Sequence, residues 1–97
     1  MHKLNRGEHC FYYGESEENP DAIIRWTPSV KNVLIIEETR VNDDLQGKGI
    51  ARKLVERVAK MAREEDYKLI ASCAYAKKML EGNEKYRDIL APRGSHY

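Results

Sequence analysis

Large apolar side chains are scarce in this 97-residue chain, which has one Phe, one Trp and six Tyr. A domain of this size buries only roughly two-thirds of the surface its unfolded chain exposes, so the core is modest and the chain reads as one domain. No apolar run approaches the ~20 residues that span a bilayer. The segment Met1-His2-Lys3-Leu4-Asn5-Arg6 has no apolar signal core. The expectation is a cytoplasmic protein with no membrane partner. An excess of one charge is also missing: 17 basic and 16 acidic residues give a net charge of +1, so nothing points to nucleic acid. The two cysteines, Cys10 and Cys73, lack C-x-x-C spacing. Reduced thiols are the simplest reading, and one long-range disulfide stays open. The three histidines show no ligand spacing with them, so no metal site is expected. Repeats and low-complexity segments are absent.

What is there alternates strands and helices. Residues 8–14 are aromatic and β-prone and stop at Gly14; residues 2–6 add a weakly signalled edge strand. A polar loop, 15–20, leads to a strand over 21–27, halted by Pro28-Ser29. Lys31-Asn32 turns into a third apolar strand, 33–39. The close spacing predicts an antiparallel meander. Period 3.6 then takes over: Ile50, Leu54, Val58 and Met61 form a stripe flanked by Ala51, Val55, Ala59 and Ala62. Arg52, Lys53, Glu56, Arg57, Lys60 and Arg63 take the other face. A strand over 67–72 follows, which makes a βαβ crossover with parallel strands 33–39 and 67–72. A helix over 74–81 comes next, with Met79 and Leu80 inward and Gly82 as its stop. Asn83 caps a short last helix carrying Tyr86, Ile89 and Leu90. The fold class is α/β (α+β): a mixed, mostly antiparallel sheet ending in a βαβ unit. The domain covers 1–90. Residues 91–97 form a flexible tail, and Pro92-Arg93-Gly94-Ser95-His96 resembles a protease-linker remnant.

The most informative stretch is Gln46-Gly47-Lys48-Gly49-Ile50-Ala51, between a β-branched run and the long helix. A glycine-rich turn opening a helix offers free backbone N–H groups and the positive end of the helix dipole, which suit a phosphate. Glycine lets the backbone approach closely. The spacing fits neither a Walker loop, which needs GxxxxGK[ST], nor a dinucleotide fingerprint, whose third glycine is Arg52 here. It does match Q/R-x-x-G-x-G/A through Gln46, Gly49 and Ala51. A strand-to-helix turn with no ligand is the competing reading.

Two segments carry a resemblance. Residues 38–51, from Glu38-Thr39-Arg40-Val41 to Gly49-Ile50-Ala51, are similar to "H-T-x-V…L-x-G-x-G-I/V-A/G". Ile70-Ala71-Ser72-Cys73-Ala74-Tyr75 is similar to "I-x-x-C-S-Y/F". Together they resemble a minimal subgroup of the GNAT N-acetyltransferase superfamily over residues ~8 to ~90. The resemblance implies acetyl-coenzyme A as co-substrate. Its pyrophosphate would rest on the N–H groups from Gln46 through Gly47, Lys48, Gly49 and Ile50 to Ala51. Its pantetheine would run beside Thr39 and Val41, where two parallel strands splay apart near Arg40 and Cys73. Lys48, Arg52 or Lys53 would neutralise phosphates, although each also suits a solvated helix face.

The resemblance also places an active-site cysteine at Cys73. A helix N-terminus stabilises a thiolate, and a thiolate beside a thioester can accept its acetyl group. A small buried hydrophobe is the plain alternative. This chain has Glu38 where the subgroup usually has His. A carboxylate there can serve as general base toward an ammonium, or simply be an exposed strand-end glutamate. His2 and His9 lie too far from the motif to stand in, and His96 belongs to the tail. Tyr75 is a proton donor to the leaving thiolate or a packing residue, and Cys10 reads as strand packing. Two functions follow. One is an acetyl-coenzyme A-dependent N-acetyltransferase acting on an amine, small molecule or protein, as a monomer or weak dimer. The other is a non-catalytic acyl-coenzyme A-binding or protein-interaction module, since the chain is too short for the helices that wall off the acceptor in larger relatives.

Overall fold

The computed structural model describes residues 3–91. Met1, His2 and residues 92–97 lie outside them, and with them nearly all of the expected tail. A five-stranded sheet runs in chain order: β1 (Leu4–Gly7), β2 (Cys10–Gly14), β3 (Pro20–Pro28), β4 (Val33–Val41) and β5 (Lys68–Ala71). β1 to β4 form the expected antiparallel meander, and β5 lies parallel to β4. The connection between these two is helix α1 (Ile50–Glu65), and α2 (Ala74–Glu81) follows β5.

Two local readings change. Glu8 and His9 belong to no strand; they form the β1–β2 turn, with His9 at φ 60°. The β-prone composition of 8–14 hid that turn because neither residue is Gly, Asn or Asp. The last helix is a 3-10 turn, Glu84–Ile89, with the Asn83 side chain accepting from Lys85 N–H as the cap.

One face of the sheet carries the core. Phe11, Tyr13, Ala22, Ile24, Trp26, Leu34 and Ile36 meet Leu54, Val55, Val58 and Met61 of α1. Each buried Leu, Ile, Val, Phe or Met side chain among them contributes roughly 1.5–3 kcal/mol of transfer free energy. Leu80 of α2 is buried and Met79 is partly so. Arg57, placed on the charged side of α1, also reaches the core. Its guanidinium lies 4.6 Å from the Phe11 ring centroid, so its stem and planar head cover core edge.

The other face carries Arg25, Glu38 and Arg40 beside the buried Cys10 and Ile23. The β2–β3 loop folds over it and brings Glu17 against Cys10, whose thiol donates to Glu17 Oε2 at 3.4 Å. Cys10 is fully buried.

Candidate active site

β4 has a bulge that sets up the site. Opposite β3, Ile36 pairs with Trp26 and Glu38 with Arg25, so Glu37 is the extra residue. An extra residue shifts the alternation of side chains by one. Leu34 and Ile36 face the core, and after the bulge Thr39 and Val41 share the face of Ile24 and Ala22. Glu38 and Arg40 turn to the polar face. There Glu38 accepts from Arg25 Nε at 3.0 Å and pairs with Arg40 Nε at 3.7 Å.

The bulge also marks where β4 loses a neighbour. The β4–β5 ladder ends at Ile36 and Ala71. Ser72 and Cys73 N–H both donate to the Ile36 carbonyl, at 2.8 and 3.2 Å. Beyond it, residues 37–41 keep β3 on one edge and, among the described residues, have no strand on the other. Into that gap opens a cleft of about 430 Å³. Thr39, Val41 and Leu45 form one wall, the Gln46–Gly47 and Gly49–Arg52 backbone another, and Tyr75 the rim.

The loop is braced from within. Asp43–Leu45 forms a 3-10 turn with Leu45 buried. Gln46 Nε2 donates to the Val41 carbonyl at 3.2 Å, and the Gln46 N–H donates to the Asp43 carbonyl at 3.3 Å. That amide is therefore already engaged, and the free donors begin further along. Gly47 (φ 82°) and Gly49 (φ 73°) take left-handed conformations that side chains disfavour. Gly49 is the N-cap of α1, and no side chain caps the helix. The first turn carries no acid; it holds Arg52 and Lys53 instead. Cations beside the positive end of a helix dipole oppose it by about 0.3–1 kcal/mol each. This end has bare amides and surrounding positive charge, a combination that favours an anion.

The sequence-predicted residues separate into groups. Thr39, Val41, Gln46, Gly47, Gly49, Ile50, Ala51 and Arg52 line one cleft. Lys48 sits exposed in the turn without lining it. Arg52 is 70% exposed and pairs with Glu56 at 3.6 Å. Glu38 is on the other face. Cys73 stands just behind the cleft wall, half-buried, as the N-cap of α2. Its sulfur donates to Thr39 Oγ1 at 3.3 Å and accepts from Ala76 N–H at 3.4 Å. Leu45 was not marked as a site residue in the sequence, although its place in the L-x-G-x-G pattern was a usable signal. Burial, the largest influence, pushes the Tyr75 phenol above its ordinary value, so it stays a proton donor across neutral pH. Among the described residues no three His, Cys, Asp or Glu side chains cluster as metal ligands. No helix there is long and apolar enough to cross a membrane.

Against known proteins, a family profile described as GCN5-related N-acetyl-transferase matches residues 10–89. The chain belongs to the GCN5-related N-acetyltransferases. A GCN5-like protein from Staphylococcus aureus is 37% identical, with a TM-score of 0.77, over 98% of this chain and 95% of that one. Two more distant neighbours share the fold. The ribosomal-protein-S18-alanine N-acetyltransferase from Escherichia coli has a TM-score of 0.58 at 19% identity, over 79% of this chain and 53% of that one. A GNAT family acetyltransferase from Elizabethkingia anophelis, solved with acetyl-CoA bound, has a TM-score of 0.56 at 19% identity, over 79% and 51%. This GNAT chain thus spans about half the length of those two. Comparison with curated protein sequences gave no match.

Proposed function

We propose that this GNAT protein transfers an acetyl group from acetyl-coenzyme A to an amine, and that Cys73 carries the group between them. The observation that bears the most weight is the uncapped, acid-free N-terminus of α1, opening on the cleft where β4 has lost its neighbour. The acetyl-CoA-bound neighbour of the same fold supports the choice of ligand. The amides from Gly47 to Ala51 hold the pyrophosphate, Arg52 and Lys48 screen its charge, and the free edge at Thr39 and Val41 pairs with the pantetheine amides.

In the chemical step the Cys73 thiol gives its proton to water and, as thiolate, attacks the acetyl carbonyl. A carbon–sulfur bond to Cys73 forms as the one to the coenzyme breaks, and the departing thiolate takes a proton from the Tyr75 phenol. The acceptor ammonium gives one proton to Glu38 at the polar face, enters through the gap beside β4 as the free amine and attacks the new thioester, and Glu38 returns its proton to solvent. A carbon–nitrogen bond forms, Cys73 leaves as thiolate, and the second amine proton passes through water to the Tyr75 phenolate. Arg25 and Arg40 hold Glu38 in place. Two unpaired thiols suit a reducing compartment such as the cytoplasm.

Intact-mass measurement after mixing with acetyl-coenzyme A tests this. One added acetyl on Cys73, discharged by an amine and absent in Cys73→Ala, is expected. Wild-type turnover in Cys73→Ala removes the sulfur from the path and leaves direct attack. Tight coenzyme binding with no transfer to any amine overturns the enzyme reading in favour of a binding module.

A further inference from the structure

We infer that the Thr39 hydroxyl is the positioning group for the Cys73 sulfur, in place of an imidazole or carboxylate. The kinetic part of this inference rests on the function proposed above; the structural part does not. Thr39 and Cys73 are 34 residues apart in sequence, yet Oγ1 and Sγ lie 3.3 Å apart. The contact lies just past the end of the β4–β5 ladder, where the last main-chain tie is Cys73 N–H on the Ile36 carbonyl. The bulge decides which side chain meets the sulfur. Without the extra residue at Glu37, the side chain of Glu38 would follow Leu34 and Ile36 onto the core face. With it, Glu38 goes to Arg25 and Arg40, and Thr39 turns to Cys73.

The chemistry suits the placement. A hydroxyl both accepts and donates. It can take the hydrogen bond of a thiol and, by rotating, give one to a thiolate, so the contact survives a change in the sulfur's state. Thr is stiff about χ1 in a strand, which fixes where the oxygen points. The Ala76 N–H supports the sulfur from a second direction. Thr39 also lines the cleft that Cys73 stands behind, so it links the sulfur to the ligand space.

The test uses Thr39→Val, which keeps shape and strand preference, and Thr39→Ser, which keeps the hydroxyl. Alkylation of Cys73 by iodoacetamide at fixed pH, read by peptide mass, needs no substrate, and buried Cys10 is an internal control. Thr39→Val should slow Cys73 alkylation about tenfold, the size of one hydrogen bond to a charged group. It should lower kcat similarly, leave KM for acetyl-coenzyme A and the melting temperature in place, and be rescued by Thr39→Ser. Alkylation of Thr39→Val at the wild-type rate, or no rescue by serine, overturns the inference. Slowed alkylation with unchanged kcat supports the positioning role and tells against the Cys73 relay instead.

Discussion

The two halves of β4 differ by one neighbour. Val33–Ile36 lies between β3 and β5, with Ile36 fully buried and its carbonyl taking two N–H groups. Among the described residues, 37–41 pair only with β3, and they face a cleft. The chain is continuous and the strand unbroken, yet the first half is core and the second is site. Main-chain groups in the first half are consumed by the fold; on the open edge of the second, apart from the Val41 carbonyl that Gln46 engages, they remain available to a ligand. Within this domain a binding edge is obtained by ending a neighbouring strand early.

Truncation should expose that difference most strongly. Ile36→Ala removes a fully buried side chain at the last ladder pair and should cost about 3 kcal/mol in a urea titration. Val41→Ala, at the half-paired end, should cost under about 1.5 kcal/mol. Equal costs would break the comparison. Gly49→Val tests the ligand end. A β-branched residue at φ 73° is strained, and its Cβ would enter open space above the loop. Stability should fall by about 1–2 kcal/mol, while coenzyme A affinity by calorimetry should fall at least about tenfold. Unchanged affinity would separate the loop from the ligand. The mildest effect belongs to Cys10, the sealed counterpart of Cys73. Burial first, and then Glu17, push its thiol from 9.0 up to about 11. The unfolded chain releases this proton first, so the associated stability is whole below pH about 9 and lost as pH rises toward about 11. Denaturation curves over that range should show the wild type losing stability relative to Cys10→Ala. Parallel curves would mean the thiol is not held in its neutral form.

These results bear on how far the sequence carries the structure. The stripe Ile50, Leu54, Val58 and Met61 and the β-branched run 33–36 announced α1 and the core half of β4, because burial repeats with the period of the backbone. The glycine loop announced the cleft, because only a few residue types tolerate its dihedral angles. The bulge was not legible. Glu37-Glu38-Thr39-Arg40 is polar throughout, so no apolar alternation records which residue is skipped. For that reason Glu38 and Thr39 could be named as neighbours but not assigned to opposite faces. The Thr39–Cys73 contact was hidden for the same reason: it depends on a register that composition does not encode. The Arg57–Phe11 contact was not legible either, because helical position alone does not distinguish a solvated guanidinium from one lying on a ring.

The closing segment has a consequence for how copies of this protein meet. Leu90 bridges Leu69 on the free side of β5, and Ala91 N–H donates to the Leu69 carbonyl at 2.9 Å. The Arg63 fork on Asp88, at 3.0 Å to each oxygen, ties that segment to α1. One margin of the sheet is thereby blocked. The opposite margin, β1, is four residues long and carries Arg6 tethered to Glu65 at 2.9 Å. Short, covered or charged margins deny an incoming strand a template, so this sheet is guarded against the edge-to-edge stacking that begins aggregation.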